Sequence, residues 1–440
     1  MEEINNRFSL TTLTPISITN GDFIDSFEYL IQGNYFYRLN TNNILNDIIQ
    51  QVPGSINKIS EWVDQKENQI FNNFNKNKQS LKLNLFDFIT KNLRRNDLEQ
   101  KIRKGIIEGQ HIKYKIPTQS GTISKNVYPH IKTADNKVYI PGSTLKGLIR
   151  NALLNDYFLN LIENKDVNKI NVLIKNIFNE LTENKKIKKE TFAQDLVNNI
   201  FNFSDNKYDA KFDLMKFIKV SDSSYLDPSQ VCELVQPKTI TLKGTEQGQL
   251  NAIEVIKKGV KFEFKIDFDA DFLRSVANSS DKDINITKLK SKLLEMFDLH
   301  IDDLNKKSNT VLASDIFERI ETSIYNYSIF LQEKDEDFQK GKSNFENIKI
   351  NDDDVVIKIG WGAGFPSKTI LFSYLDKFTE FDKSFKSNYK SMIDKFNIGQ
   401  TPGRDKKRKD VDLQKFPTSR KAVKINNFYN QMGWVKIERI

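Results

Sequence analysis

The pattern of apolar and polar residues predicts strands near both ends of the chain and long helical stretches between them. Residues 8–19 and 27–39 alternate in polarity and are rich in β-branched and aromatic side chains. Gln32-Gly33-Asn34 divides the second run into a hairpin. Residues 41–108 and 160–203 instead have helical periodicity. Because these helical stretches interrupt the strands irregularly, the pattern favours an α+β fold with helical insertions.

The second half of the chain repeats this mixture. Helical periodicity is strongest at 311–332 and returns at 371–397, and residues 252–268 have the pattern of a hairpin around Lys258-Gly259. Further strands are predicted at 214–220, 231–242, 355–360 and 433–437. We place a domain boundary so that residues 1–255 form an N-terminal domain and residues 256–440 a C-terminal one.

The most informative segment is Ile-Pro-Gly-Ser-Thr-Leu-Lys-Gly-Leu-Ile-Arg, residues 140–150. A strand at 137–140 meets a Pro-Gly turn, and Ser143 or Thr144 then stands in the N-cap position of a helix. Lys146 and Arg150 are four residues apart and therefore share one face of that helix. Backbone N–H groups, a hydroxyl and two cations in one place suit a phosphate, although a capped surface helix with solvated charges has the same pattern.

Two other segments carry candidate binding residues. Gly360-Trp-Gly-Ala-Gly364 follows a strand and precedes Lys368, but it has neither Walker A spacing nor a dinucleotide fingerprint. It predicts either a backbone surface that lies flat against a ligand or a plain hairpin turn. The basic tail 401–424 predicts a phosphate-binding arm, in which Arg420 and Lys421 are the strongest candidates, or a solvated loop.

Composition narrows the class of protein. The chain has 440 residues and a net charge of +9 despite 58 acidic residues, which indicates a local basic face for a polyanion. The single cysteine, Cys232, excludes an internal disulfide and a thiolate zinc cluster and favours a reducing compartment. No segment resembles a signal peptide or a membrane span. We therefore expect a cytoplasmic protein without a membrane partner.

Catalytic candidates are sparse. His111 and His130 flank a predicted β region, where structural histidines are common, and His300 ends a helical run. The acidic run 352–354 has the composition of a metal site, but consecutive side chains point in different directions, so a solvated turn is the better interpretation. Asp222 is expected to fix the loop after its strand by hydrogen bonds to the backbone. We expect no cofactor and no metal.

Five segments together resemble the RAMP superfamily of CRISPR-associated proteins. Residues 140–150 are similar to its helix-start signature, and Leu-Thr-Pro-Ile-Ser-Ile-Thr-Asn-Gly, residues 13–21, to its first strand. Residues 220–223, 359–365 and the pair Pro417–Arg420 with Gly433–Lys436 also fit, and they favour the subunit at the crRNA 3′ end of type III-A (Csm) complexes. Asn20 stands where the family pattern has glycine or serine.

The resemblance implies two ferredoxin-like (RRM-like) domains with helical insertions and a non-catalytic role in crRNA binding. It implies contact with a neighbouring RAMP backbone subunit and other Csm subunits, and 3′-end maturation of the crRNA by recruited host nucleases in antiviral defence. The RNA-binding residues would be Asn20, Gly21, Ser143, Thr144, Lys146, Arg150, Gly360, Gly362, Gly364, Lys368, Arg420 and Lys421. The alternative is a RAMP-type endoribonuclease that processes crRNA with His130 or His111 as general base.

Overall fold

A computed structural model describes most of the chain. The described residues are 6–74, 84–119, 126–183, 194–204, 209–248, 250–342, 344–351, 353–368, 374–396 and 417–440. The basic segment 401–416 and Asp352 lie outside them.

The strands are short and numerous. They are β1 (Arg7–Thr12), β2 (Tyr29–Gln32), β3 (Tyr35–Leu39), β4 (Ile112–Pro117), β5 (Val127–Tyr128), β6 (Ile218–Val220), β7 (Cys232–Val235), β8 (Lys238–Thr241), β9 (Glu246–Gln247), β10 (Ala252–Ile256), β11 (Lys261–Phe268), β12 (Val356–Lys358), β13 (Ser419–Ile425), β14 (Phe428–Gln431) and β15 (Trp434–Arg439).

The helices vary from one turn to more than eight. They are α1 (Thr41–Gln51), α2 (Ser55–Phe74), α3 (Leu85–Asp87, continued by a π-helical turn over Phe88–Asn92), α4 (Asn96–Ile107), α5 (Gly142–Glu163), α6 (Val167–Glu183), α7 (Gln194–Phe201), α8 (Pro228–Val231), α9 (Ala270–Ala277), α10 (Ile286–Phe297), α11 (Asp303–Lys306), α12 (Asn309–Gln339), α13 (Leu375–Phe381) and α14 (Phe385–Lys395).

The central sheet has the strand order β12-β15-β1-β11-β6, and every neighbouring pair is antiparallel. Along the chain, β1 is followed by α5 and β6, and β11 by α12 and β15. Four of these strands therefore have the βαββαβ order of a ferredoxin-like fold, with β12 added at one edge. None of the other sheets among the described residues has this order, so a second ferredoxin-like domain is not confirmed.

Alternating polarity along β11 determines which face of the central sheet is buried. Phe262, Phe264 and Ile266 are buried, whereas the intervening Lys261, Glu263 and Lys265 are exposed. Phe264 lies opposite Phe8 of β1, and both meet apolar side chains of α5 and α12, among them Leu145, Ile149, Ile320 and Ile324. The helices therefore pack on one face, and the charged face of β11 stays open to solvent.

Strand pairing crosses the predicted boundary at residue 255. β1, from the start of the chain, lies between β11 and β15, which both belong to the predicted C-terminal domain. The predicted hairpin around Lys258-Gly259 is wrong. β10 pairs with β5 and β7, and β11 pairs with β1 and β6. The reason is burial: all five residues of β10 are buried, as in the middle strand of another sheet.

Other local predictions are confirmed. β2 and β3 form the predicted hairpin, closed by Gly33-Asn34. Residues 41–108 contain α1 to α4, which together with the β2–β3 hairpin form a separate hydrophobic cluster around Trp62 and Phe88. In 160–203, α6 and α7 pack instead into the main core. The predicted strand at 137–140 is absent, since only Val138 makes isolated bridges there, and the strand pair β13–β14 in the basic tail was not predicted.

Candidate RNA interface

The helix of the 140–150 segment begins two to three residues earlier than predicted. Pro141 is the N-cap residue, and neither Ser143 nor Thr144 caps the helix through its side chain. The cap comes from a distant carboxylate, because Asp222 Oδ1 accepts a hydrogen bond of 2.7 Å from the Gly142 N–H. Asp222 thus bonds to the backbone, as predicted, but across the fold. An internal carboxylate therefore occupies part of the site that the sequence suggested for a phosphate.

Gly142 is required by the close approach of two backbones. A Cβ at this position would lie 2.4 Å from the Val220 carbonyl oxygen and 2.8 Å from Ser221. The start of α5 is therefore pressed against the end of β6, and any side chain would push them apart.

Lys146 and Arg150 share a face of α5 and lie near the same carboxylate. Arg150 forms a 3.0 Å ion pair with Asp213, and its guanidinium lies 4.7 Å from the centre of the Phe201 ring. Its Nε is buried and has no hydrogen-bond partner. Burial lowers the pKa of Lys146, Asp213 opposes this, and Arg150 adds to it. The pair is therefore half-buried and anchored within the protein rather than fully solvated.

The three glycines of 360–364 all have positive φ, and two of them are needed for packing. A Cβ on Gly360 would lie 2.3 Å from the Ser17 carbonyl oxygen, and one on Gly362 would lie 3.0 Å from Met432 Sδ. The Trp361 N–H also donates to Ser17 O at 2.7 Å. Gly364 has no such neighbour. The loop is therefore held against the 13–21 segment of the chain itself.

A cavity of about 300 Å³ lies between α5 and this glycine loop. Thr144, Arg150, Gly360 and Lys368 line it, so the structure brings two of the predicted segments together. The sequence had not indicated the other lining residues, which include Gly147, Asn151, Tyr327 and Lys358. Lys358 could have been identified from the sequence, because it is a cation within an otherwise apolar strand.

Gly147 is unusual among the lining residues. It is exposed in the interior of α5, and a Cβ there would have no neighbour within 4 Å, apart from its own helix. Glycine weakens a helix interior by about 0.5–1 kcal/mol relative to alanine. No contact within the described protein requires glycine here, which distinguishes Gly147 from Gly142 and Gly360.

Asn20 and Gly21 form an exposed turn a few residues beyond Ser17. Asn20 Oδ1 accepts a 3.2 Å hydrogen bond from the Asp22 N–H, and Gly21 has φ +95° with open space around it. The turn is therefore accessible and lies on the segment that contacts the glycine loop.

Arg420 does not have the exposed position that we predicted. It is only 6% exposed, stacks 4.9 Å from the Phe338 ring centre, and pairs with Asp335 at 3.5 Å. Burial lowers the pKa of its guanidinium. Asp335 also binds Lys358 Nζ and accepts a 3.0 Å hydrogen bond from Trp434 Nε1. Arg420 is therefore one partner in a buried charge cluster, which corrects its assignment to a surface arm.

Lys421 points elsewhere. Its Nζ donates to Thr239 Oγ1 at 3.0 Å and lies 5.8 Å from the centre of the Trp361 ring. Burial lowers the pKa of this lysine. Lys421 therefore lies beside the glycine loop, whereas its neighbour Arg420 is directed into the core.

His130 is built into the core. It is 1% exposed, its Nδ1 accepts from the Ile18 N–H at 3.1 Å, and its Nε2 lies 3.1 Å from the Tyr139 carbonyl oxygen. Burial lowers the pKa of His130 to about 3, helped by nearby Lys132. The ring is therefore neutral at pH 7, with both nitrogens in use. His111 lies 3.3 Å from Asp47 in the helical insertion.

The described part of the chain offers no candidate for a metal site or a membrane span. No group of three or more His, Cys, Asp or Glu side chains there could hold a metal ion. None of its helices is both long and apolar enough to cross a bilayer. Asp354, from the acidic run, pairs with Lys436 at 2.8 Å.

Comparison with known proteins identifies the family. The chain is similar over 98% of its length, at 18% identity and a TM-score of 0.56, to the whole of a chain in a cryo-EM structure of a Csm-crRNA-target RNA ternary complex of a type III-A CRISPR-Cas system. It is similar over 97% of its length to 99% of Csm5 from T. onnurineus, at 14% identity and a TM-score of 0.54. No curated protein matches it. A model of the RAMP superfamily matches residues 9–407, and the chain therefore belongs to that superfamily.

Proposed function

We propose that this protein is a non-catalytic crRNA-binding subunit of a type III-A Csm complex. In this role it caps the 3′ end of the crRNA and supports 3′-end maturation, in contact with a neighbouring RAMP backbone subunit in the cytoplasm. Family membership supports RNA-guided function, and the two similar structures are a Csm-crRNA-target RNA complex and a Csm5.

The observation that carries the proposal is the convergence of α5 and the glycine loop on one cavity. Arg150 Nε is a buried donor without a partner in the described structure, and Arg150 lines this cavity beside Thr144 and Lys368. Donors and cations at the edge of a cavity suit a phosphate or a ribose hydroxyl. Gly147 leaves space for a strand to approach the helix backbone closely.

The remaining predicted residues fall into two groups. Ser143 is exposed beside Thr144, Lys146 lies next to Arg150, and Lys421 lies next to Trp361 of the loop. These, with Asn20, Gly21 and Gly364, form the proposed interface around the cavity. Gly360 and Gly362 shape the loop by packing, and Arg420 stabilises the core beneath it. Phosphate contacts of this kind position RNA without reading its sequence, so different spacers should bind equally.

The alternative endoribonuclease has little support from the histidines. A general base must reach the proton that it abstracts, and both ring nitrogens of His130 face internal partners. Its low pKa also makes it a weak base.

The decisive experiment places a charge in the cavity. Gly147→Glu adds a carboxylate where space is free, and Gly147→Gln adds a neutral side chain of the same shape. We expect the glutamate variant to bind fluorescent single-stranded RNA more weakly than the glutamine variant. The slope of log K against log salt should become shallower by about 0.7 for each phosphate that the protein no longer neutralises. Equal affinity of both variants and the wild type would overturn the assignment of the cavity.

A second assay tests the 3′-end role and the absence of catalysis. The full-length protein is bound to RNA labelled at its 5′ end and exposed to a 3′→5′ exonuclease. We expect digestion to stop at a defined 3′ boundary, which Gly147→Glu removes. Digestion through to the 5′ end would contradict capping, and cleavage by the protein alone without metal would contradict a non-catalytic role.

A further inference from the structure

Residues Ser221–Leu226 form an extended segment that is hydrogen-bonded on both sides. Towards β11, Ser221 and Ser224 each exchange backbone and side-chain hydrogen bonds, with Lys265 and Glu263 respectively. On the other side, the Ser223 and Leu226 N–H groups donate to the carbonyls of residues 140 and 138, at 3.0 Å each. The backbone that carries Tyr225 is therefore held rigidly between two parts of the fold.

The side chain of Tyr225 nevertheless lies in solvent. Tyr225 is 57% exposed, compared with 41% for Tyr35. The Tyr225 ring meets the half-exposed ring of Tyr139 edge to face, with centroids 5.6 Å apart. An exposed aromatic ring on a rigid backbone loses little conformational freedom when another ring stacks on it.

The two rings lie next to the start of α5. Tyr139 stands two residues before the cap of α5, and Asp222, three residues before Tyr225, caps that helix. The charges on these segments are mixed: Lys137 pairs with Asp227, and the exposed Lys265 and Glu263 are both hydrogen-bonded to the segment that carries Tyr225. The rings therefore continue the proposed RNA interface beyond the start of α5.

We propose that Tyr225 and Tyr139 form a stacking platform for one unpaired base of the bound RNA. This inference rests on the proposed function, because it concerns the strand whose backbone the cavity holds. Every base has a π-face, so the platform should accept all four bases, consistent with phosphate contacts that do not read sequence. A two-ring patch flanked by charges is too small for a protein interface, which buries about 800 Å² on each partner.

The test compares four variants of the full-length chain for binding to fluorescent single-stranded RNA. Tyr225→Ala removes the ring, Tyr225→Phe keeps it without the hydroxyl, and Tyr225→Leu keeps apolar area without a π-face. Tyr35→Ala is the matched control, since Tyr35 is 41% exposed on the β2–β3 hairpin, outside the proposed interface. We expect Tyr225→Ala to weaken binding by about 5- to 150-fold, the range for losing one stacked base.

The salt dependence separates stacking from charge. Tyr225→Ala should leave the slope of log K against log salt unchanged, Tyr225→Phe should bind like the wild type, and Tyr225→Leu should bind like the alanine variant. If Tyr225→Ala binds RNA as tightly as the wild type, the stacking platform is overturned but the proposed function is not. The same holds if Tyr225→Ala binds RNA normally but fails to join the other subunits. A wild-type chain that does not bind RNA overturns the proposed function as well.

Discussion

Gly147→Ala should strengthen its helix and weaken RNA binding at the same time. The new methyl group meets no atom within 4 Å outside the helix, so the fold accommodates it without strain. Replacing glycine by alanine in a helix interior gains about 0.5–1 kcal/mol. The gain should slow amide hydrogen exchange within α5 by about 2- to 5-fold where exchange proceeds by local opening.

RNA affinity should change in the opposite direction. The methyl group occupies the side of α5 that faces the cavity, so it keeps an RNA backbone from approaching the helix. If one hydrogen bond to a charged group is removed, the cost of about 1.5 kcal/mol or more corresponds to at least about tenfold weaker binding. A merely structural role for Gly147 would not separate stability from affinity in this way.

Two measurements on the same samples check this prediction. Hydrogen exchange with mass spectrometry reports on α5, and fluorescence anisotropy at fixed salt reports on RNA affinity. Asn160→Ala is the control, because Asn160 is exposed near the end of the same helix. It should slow exchange but leave affinity unchanged. Wild-type affinity for Gly147→Ala would refute the reasoning about the cavity, and unchanged exchange would refute the reasoning about the helix.

Three further predictions concern stability. Asp335→Asn leaves two buried cations without their carboxylate and should lower the free energy of unfolding, measured in urea, by about 3–5 kcal/mol. Asp337→Asn, at an exposed position on the same helix, should change this free energy little. Equal effects of the two substitutions would contradict the buried cluster. Gly364→Ala introduces a side chain at a positive φ and should cost about 1–2 kcal/mol of stability. Gly360→Ala should cost more, because its Cβ would also clash with the Ser17 carbonyl oxygen. Thermal melts that rank the two variants the other way would contradict the packing argument. The pKa of His130 is about 3 in the folded state and near 6.5 when unfolded, so its contribution to the free energy of unfolding is complete above about pH 6.5 and should fall by about 2 kcal/mol at pH 5. A His130→Gln variant should lack this loss. Identical pH profiles of stability for the variant and the wild type would show that His130 is not the cause.

Local structure was largely predictable. The β2–β3 hairpin depends on a two-residue turn with glycine, and α12 on apolar residues at helical spacing, so neighbouring residues carry the information. The mixed α+β class follows from the same patterns. The five segments that resemble the RAMP superfamily also led to the family that the comparison confirms. Chemistry was predictable only as residue type: hydroxyls, cations and glycines suited to phosphate.

Pairing between distant segments was not predictable from these patterns. β10 and β11 are adjacent in sequence and joined by a short turn, yet each pairs with strands from elsewhere. Both faces of β10 are buried, which an isolated two-stranded hairpin could not provide. β1 and β15, from opposite ends of the chain, likewise share one sheet. The entropy cost of bringing such distant segments together is offset only when the whole core has formed.

The same limit applies to charge. Arg420 and Lys421 are neighbours in the sequence, but one is buried against Asp335, 85 residues away, and the other lies beside the glycine loop. His130 is neutral because burial and nearby Lys132 lower its pKa, and its Nδ1 accepts a hydrogen bond from Ile18, 112 residues away. Residue types and their local order thus determined the secondary elements and the family. Only tertiary packing decided which charges face solvent, since a charge is buried or free according to partners that the local sequence does not specify.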